Sequence, residues 1–414
     1  MNTINYRSIA IFIIPLLTGA VSTYFIRVWA RNRAWDDFDN VQMFEKIADF
    51  RILGGTDLAD RLRARAIPNQ RLVTTFDIHS SFTTMDEAVH RHFLGESISV
   101  IHEMRPPRWF TFSTVADEAL NQVLTHFEYP QRPLPLAKMA RPFAFITMLY
   151  PLFGVMPANV NLDDAIQVSE EINYIWVESK REPIPDLREN KERLQDALRR
   201  LLPDKYPCTA EENPINIIMP AYETMWRVVL HTFLAAGFRE VDQETEQQFR
   251  EVIENVPECL TSNSLNDAGI MAINFAKEGL RLYPPTQRIN RAIPPQQPNQ
   301  QPTQVSANIQ EAHRYTSIWG ADVLSFRPSR FGPEKPPSAY MPFGAGRHRC
   351  PSAKDFAYKA IIIQVVALVR RLGIRDGGAK VRFNDPVLDN DGRALMPMGR
   401  MDMEGWTMEV GRGD

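Results

Sequence analysis

Cysteine is scarce in this chain of 414 residues, with Cys208, Cys259 and Cys350 as the only three and each far from the others. The spacing contains no CxxC pair, so it gives no support to a zinc site of that type or to a dense disulfide framework. An excess of charge is also lacking, since 47 basic residues stand against 50 acidic ones. The formal net charge of −3 gives no reason to expect nucleic-acid binding. The composition therefore favours a protein that works in a reducing compartment without nucleic acid.

An internal repeat and a linker near the middle of the chain are missing as well. Hydrophobic residues make up 44% of the sequence and charged residues 23%, which are ordinary values for a globular protein. The segment 294–304 is rich in Pro and Gln and predicts a loop or an edge strand. We therefore predict one large catalytic domain over residues 34–414.

The N-terminus has the character of a membrane segment. Residues 9–26 carry no charge, and this is about the length that a helix needs to cross a bilayer. Arg27, Arg31 and Arg33 follow directly, so the positive-inside rule predicts that the remaining chain faces the cytosol. We predict a single-pass membrane anchor and basic flank over residues 1–33. A cleaved signal peptide is the alternative.

Helical periodicity dominates the rest of the chain. An amphipathic surface helix is predicted over Leu187–Leu202, and a long buried helix over residues 213–238, with an Asn-Pro pair suited to its N-terminus. Further helices are predicted at Gln243–Asn255, at Asp267–Leu282 and from Pro351 to about Leu372. The pattern indicates a mainly α protein with few strands.

Cys350 lies between a glycine-containing loop and a proline that is predicted to open the last helix, in the sequence PFGAGRHRCPSA. A helix N-terminus has partial positive charge and unpaired N–H groups, which stabilise sulfur as an anion. Gly344 and Gly346 let the loop approach a flat cofactor closely. A thiolate ligand donates electron density to haem iron and favours O–O cleavage. A buried, inert cysteine is the alternative, so the loop needs support from other motifs.

That support comes from the order of three motifs. The residues Phe343, Gly346, His348 and Cys350 resemble the FxxG-x-[RH]-x-C haem loop of the cytochrome P450 family. Upstream, Glu278 and Arg281 match the family's ExxR pair, whose spacing puts both on one helix face, and residues 319–331 resemble the PxRF segment and supply Arg330. The resemblance implies that Glu278, Arg281 and Arg330 form a buried ion cluster.

The resemblance also extends to the predicted long buried helix. Residues 220–224, PAYET, stand where the family has [AG]-G-x-[DE]-T. This match implies that Glu223 and Thr224 are an acid and alcohol pair that delivers protons during oxygen activation. Pro220 departs from the pattern, and we expect it to kink the helix and open it by another means. The alternative is that both are ordinary helix residues.

Haem propionates need cations, and the resemblance suggests two. Arg288 stands seven residues after Arg281, where the family often has a propionate-binding arginine, and His348 is the second candidate. The family's WxxxR motif is not found, since Trp109 is followed by Ser113 four residues later, and the region around His90 is only a weak substitute.

One further departure concerns the sulfur. Pro351 follows Cys350 directly and has no N–H, so one possible hydrogen-bond donor to the sulfur is missing. We expect a slightly more electron-rich thiolate as the consequence.

As a whole, the resemblance implies the helical triangular prism of the cytochrome P450 fold, with haem b bound through the Cys350 thiolate. It further implies a monooxygenase that acts on a lipophilic small molecule, with electrons from NADPH through NADPH-cytochrome P450 reductase. The expected location is the endoplasmic reticulum membrane, and the sequence is similar to fungal members of secondary metabolism. A non-redox isomerase or dehydratase of the same fold and a degenerate haem-binding member are the alternatives.

Overall fold

The computed structural model describes residues 36–54, 57–261, 265–295, 297, 300–332 and 336–409. Most of these residues are helical. The helices up to the middle of the chain are α1 (described part, residues 36–48), α2 (Leu58–Ala66), α3 (Gln70–Phe76), α4 (Glu87–Glu103), α5 (Pro106–His126), α6 (Leu136–Phe153), α7 (Leu162–Glu178) and α8 (Arg188–Leu201). They are followed by α9 (Ile215–Tyr222), α10 (Met225–Gly237), α11 (Gln243–Asn255), α12 (Glu258–Thr261), α13 (Asp267–Leu282), α14 (Ile309–Ala312), α15 (Thr316–Trp319), α16 (Phe356–Leu372) and α17 (Pro386–Asn390).

The strands are few and short, and they form two small antiparallel sheets. They are β1 (Leu134–Pro135), β2 (Arg288–Ile293), β3 (Thr303–Asn308), β4 (Lys380–Arg382) and β5 (Thr407–Glu409). The first sheet has the order β1-β5-β4, and the second is the β2-β3 pair, in which Arg291 stands opposite Val305. Of the segment predicted as a loop or an edge strand, the described residues 294–295, 297 and 300–302 lie outside helices and strands, and Thr303 and Gln304 begin β3.

The core is a bundle in which α5, α6, α10, α13 and α16 pack against one another. The reason is visible in their sequences, since α10 and α16 are apolar on nearly all sides and nearly all of their residues are buried. Each fully buried Val, Leu or Phe side chain contributes about 1.5–3 kcal/mol to the free energy of unfolding. The bundle therefore gives the loops at its edges a rigid support.

Three predicted helices are confirmed. Helix α8 matches the predicted surface helix to within one residue at each end, and α11 and α13 have the predicted bounds. Their starts are set by side-chain caps, because Asp242 accepts from the Thr245 amide and Asn266 accepts from the Gly269 amide.

The single long helix predicted over residues 213–238 is wrong. The structure has two helices, α9 and α10, separated by Glu223 and Thr224. Pro220 lies inside α9 and has no N–H to donate to the Asn216 carbonyl, which its ring also crowds. The proline therefore interrupts the helix, in line with the kink that the sequence predicted. The break lies at Glu223 and Thr224, the predicted acid and alcohol pair.

The start predicted for the last helix is also wrong. Residues Pro351–Ala353 form one turn of 3-10 helix, and α16 begins only at Phe356. Asp355, directly before it, has φ −141° and ψ −46°, which is not a helical conformation. Cys350 is thus followed by a short turn rather than by the long helix.

Among the residues that the structure describes, no helix combines the length and the apolar character needed to span a membrane. The predicted anchor over residues 1–33 lies outside the described residues.

Candidate functional site

Glu278 and Arg281 form a fully buried ion pair at the end of α13. Arg281 donates from Nε to Glu278 Oε2 over 2.7 Å and from Nη2 to Oε1 over 2.8 Å. The Nε of Arg330, from the 3-10 turn Pro328–Arg330, lies 3.4 Å from Oε1 of the same carboxylate. The backbone N–H of Arg327 donates to that oxygen over 2.8 Å. The structure thus brings together the three residues that the motifs selected.

His313 joins this cluster to the segment before the cysteine, although the sequence did not single it out. Its Nδ1 lies 3.1 Å from the Arg281 carbonyl, and its Nε2 accepts from the Met341 N–H over 3.1 Å. Arg281 in turn donates to the His313 carbonyl over 2.9 Å. Burial and the Arg281 charge lower the pKa of His313 to about 3, so the ring is neutral at physiological pH. A lone histidine outside any motif offers no sequence signal for this role.

The cysteine loop is closed by the Cys350 N–H, which donates to the Phe343 carbonyl over 3.0 Å. Gly344 and Gly346 have φ of 76° and 66°, in the left-handed region that favours glycine. A Cβ on Gly346 would lie 1.4 Å from Asp49 Oδ1, the atom that accepts from the Arg347 N–H. The loop shape and the packing of residue 49 both require glycine here.

Cys350 is a free cysteine with an exposed side chain. Its Sγ lies 3.0 Å from the Ser352 hydroxyl, and Phe343 packs edge-on against Tyr358 with ring centres 5.5 Å apart. The Ser352 hydroxyl therefore offers the sulfur a donor where Pro351 offers none. The expectation that an α-helix begins directly after the cysteine is wrong, and the short turn brings Ser352 to the sulfur.

A group of basic side chains surrounds His348, two residues before the cysteine. Arg61 donates from Nε to His348 Nε2 over 3.0 Å, and the His90 ring lies 5.7 Å from the His348 ring. Burial, then the charges of Arg65 and Arg61, lower the pKa of His348 to about 3. We call His348, Arg61, Arg65, His90 and Arg291 the His348 cluster.

Two arginines of the His348 cluster are buried with incomplete hydrogen bonding. Burial lowers the pKa of Arg65 to about 10 and that of Arg291 to about 9. Each has an Nε without a hydrogen-bond partner among the described residues. The Arg291 guanidinium lies 4.1 Å over the Phe50 ring, which itself contacts His348. Buried cations of this kind are costly unless an anion accompanies them.

The predicted propionate ligands fare differently. His348 lies within the cluster, whereas Arg288 is exposed at the start of β2. Arg291, three residues later on the same strand, is the buried one. Trp109, which has no arginine four residues after it, is buried and packs against Phe356 with ring centres 5.5 Å apart. Sequence spacing alone could not separate Arg288 from Arg291, because the choice depends on which face of β2 packs inward.

The residues of this site fit haem. An exposed free sulfur can bind iron, and two buried guanidinium groups with unpaired Nε atoms provide donors for two propionates. The two features are connected through His348, which shares one loop with Cys350 and lies close to both arginines.

Glu223 and Thr224 lie at the interruption between α9 and α10. The Glu223 carboxylate is buried, contacts Arg400 and lies 3.5 Å from Arg227 Nε. Its Oε1 accepts from Trp226 Nε1 over 3.3 Å, while its Oε2 has no partner in the part of the chain that the structure describes. The Thr224 hydroxyl donates to the Pro220 carbonyl over 3.2 Å. One buried acid and one alcohol therefore lie side by side at the break.

Comparison with known proteins gives one family. A family model described as Cytochrome P450 matches residues 239–372, which include the ion cluster and Cys350. Lanosterol 14-alpha demethylase from Bos taurus is 28% identical over 243 residues, which is 53% of this chain and 45% of that protein. Cytochrome P450 71A27 from Arabidopsis thaliana is 33% identical over 110 residues, 24% of this chain and 22% of that protein. The matches thus span less than half the length of these relatives.

Solved structures show the same fold. The crystal structure of CYP175A1 from Thermus thermophilus has a TM-score of 0.54 at 17% identity, and covers 80% of this chain and 81% of that one. A six-coordinated cytochrome P450 from the same organism has a TM-score of 0.52 at 19% identity, and covers 76% of this chain and 81% of that one.

Proposed function

We propose that this chain, whose residues 239–372 match the cytochrome P450 family model, is a haem-thiolate monooxygenase that inserts one oxygen atom from O2 into a lipophilic small molecule. The observation that carries this proposal is that the free Cys350 sulfur lies on the same loop as His348, around which the buried cations Arg65 and Arg291 lie. A free sulfur and two guanidinium groups with unpaired Nε atoms match the iron and the two carboxylates of haem.

In this proposal the Cys350 sulfur would bind the haem iron, and Phe343 and Gly346 would shape the loop that holds this sulfur. Arg65, Arg291 and His348 bind the propionates, and Arg288 is a weaker candidate because it is exposed. When bound, haem supplies the iron centre at which O2 is reduced with two electrons from NADPH and two protons, so that one oxygen atom enters the substrate and the other leaves as water.

The protons need a path through the protein, and we propose that Glu223 and Thr224 provide it. Among the described residues Glu223 Oε2 is unpaired and could accept from a water, and the Thr224 hydroxyl donates to the Pro220 carbonyl, a partner that it could exchange for water. The interruption of the helix frees backbone groups at the same place. These features support the role that the family pattern implies.

The partners follow from the same proposal. Arg347, Arg349 and Lys354 are exposed around Cys350 and form a basic surface suited to an acidic reductase domain.

The apolar residues 9–26 suit a membrane anchor in the endoplasmic reticulum, with the catalytic domain in the cytosol. The lanosterol 14-alpha demethylases that this chain resembles are named for a sterol substrate, which supports a lipophilic substrate here. A role in secondary metabolism completes the proposal.

The experiment is spectroscopic and then catalytic. Purified protein, reconstituted with haem, reduced and exposed to carbon monoxide, should show the red-shifted Soret band of thiolate ligation. The Cys350→Ser variant should lose that band, whereas Cys208→Ser, a matched change at another cysteine, should keep it. An unshifted, histidine-like band in folded wild-type protein would contradict the proposal.

Oxygen consumption separates monooxygenation from the alternatives. With reductase and NADPH, lipophilic compounds that bind should stimulate oxygen uptake and gain one oxygen atom. An isomerase or dehydratase would convert its substrate without NADPH, and a degenerate member would bind haem without either reaction.

A further inference from the structure

A second group of basic side chains surrounds Trp176 on α7. The guanidinium carbons of Arg400 and Arg71 lie 4.6 Å and 4.9 Å from the centre of its indole ring, and Lys180 Nζ lies 5.6 Å from it. Each distance is short enough for attraction between the cation and the ring. We call Arg71, Lys180, Arg227 and Arg400 the Trp176 cluster.

The charges of this cluster are not balanced. Arg71, Lys180, Arg227 and Arg400 repel one another, and Glu223 is the carboxylate that attracts Lys180 and Arg227. Burial, then the Arg400 charge, lower the pKa of Arg227 to about 10. Among the described residues, these four cations are opposed by the one carboxylate of Glu223, which leaves an excess of positive charge around a mostly buried site.

Another arginine in the same core shows what a balanced site looks like. Arg141 is buried as deeply as Arg400, but it lies 2.9 Å from Glu170 and 2.5 Å from Glu404. The Arg400 guanidinium contacts only one carboxylate, Glu223, and its Nη1 has no hydrogen-bond partner among the described residues. Arg400 therefore keeps a donor with which it could bind a second anion.

The cluster also leads inward from the surface. Lys180 is exposed, Arg71 and Trp176 are half-buried, and Arg400 and Glu223 are buried at the break between α9 and α10. Apolar rings accompany the cations, since Phe76 contacts Trp176 with ring centres 6.0 Å apart. The cluster thus extends from the surface at Lys180 to the interruption that carries Glu223 and Thr224.

We propose that the substrate is an amphiphile with one oxyanion group, which Arg400 and Arg71 bind beside Trp176 while its apolar part extends along the neighbouring aromatic and aliphatic side chains. This inference rests on the proposed function and adds the charge of the substrate to it. The planar forks of two arginines suit a carboxylate or a phosphate equally, so the test includes both.

The test measures binding to the haem-loaded protein by calorimetry, with decanoate, decyl phosphate and the uncharged decanol as probes. The oxyanions should bind at least about tenfold more tightly than decanol, which corresponds to about 1.4 kcal/mol. Arg400→Gln and Arg71→Gln should abolish this preference and leave the affinity for decanol unchanged. Arg199→Gln, which removes a cation over the Tyr206 ring elsewhere, is the matched control and should keep the preference.

Equal affinities for decanol and both oxyanions in wild-type protein would overturn the inference, as would a preference that survives in both variants. A preference for decyl phosphate alone or for decanoate alone would identify the group and support the inference. The carbon monoxide spectrum of the same preparation reports separately on the haem-thiolate proposal. A normal spectrum without oxyanion preference therefore rejects the substrate charge alone.

Discussion

At the scale of single residues, Ser352 compensates for a donor that the backbone lacks. The sequence predicts a sulfur with fewer donors because Pro351 has no N–H, but the Ser352 hydroxyl lies 3.0 Å from Sγ. A hydrogen bond to a thiolate withdraws electron density from it, so Ser352 should offset the effect of the proline. The spacing of the motif could not reveal this, because the contact depends on the short turn of 3-10 helix after the cysteine.

We therefore predict that Ser352→Ala makes the reduction potential of the bound haem more negative. A hydrogen bond of about 1 kcal/mol corresponds to about 40 mV for one electron. Spectroelectrochemical titration of the wild type and the variant measures the difference. Ser352→Thr keeps the hydroxyl and should stay close to the wild type, and an unchanged potential in Ser352→Ala would show that the hydroxyl does not act on the sulfur.

At the scale of secondary-structure elements, the sequence predicted type and position well where caps and periodicity agree. Helices α11 and α13 have the predicted bounds because Asp242 and Asn266 cap them. For the predicted long helix, Pro220 indicated a kink, but the sequence did not show that the helix divides into α9 and α10 at Glu223 and Thr224. The late start of α16 could not be predicted, because nothing in the sequence around Asp355 indicates that this residue adopts a non-helical conformation.

The ion pair at the end of α13 gives a stability prediction at this scale. Glu278→Gln leaves Arg281 buried without a countercharge, so it should lower the free energy of unfolding by about 3–5 kcal/mol. Glu87→Gln, which removes an exposed pair with Arg91 on α4, should cost less than about 1 kcal/mol. Chemical denaturation of both variants measures the difference, and similar losses in the two would contradict a structural role for the buried pair.

At the scale of the whole molecule, the sequence identified the motif residues but not the contacts that distant segments make with them. Glu278, Arg281, Arg330 and Cys350 were found by motif, and the structure brings the first three together. The side chains that complete the site come from far away in the chain, such as Arg65 from α2 and Arg291 from β2. Their burial depends on packing between elements that no local spacing encodes, so the sequence could not show that Arg291 is buried and Arg288 exposed.

His313, which joins the ion cluster to the segment before Cys350, affects the stability of the whole molecule. Its pKa is about 3 in the folded protein and lies near 6.5 in an unfolded chain, so the unfolded state binds the extra proton between these values. The stability that neutral His313 provides is complete above about pH 6.5 and declines as the pH falls toward 3. Protonation would also place a charge beside Arg281 and remove the acceptor of the Met341 N–H.

We predict that the free energy of unfolding of the wild type falls more steeply than that of His313→Gln between pH 6.5 and pH 4. One group contributes at most about 1.4 kcal/mol per pH unit to this slope. His92→Gln, at an exposed histidine on α4, is the matched control and should keep the wild-type slope. Urea titrations at several pH values measure the slopes, and a parallel decline in the wild type and His313→Gln would mean that the buried ring does not govern acid sensitivity.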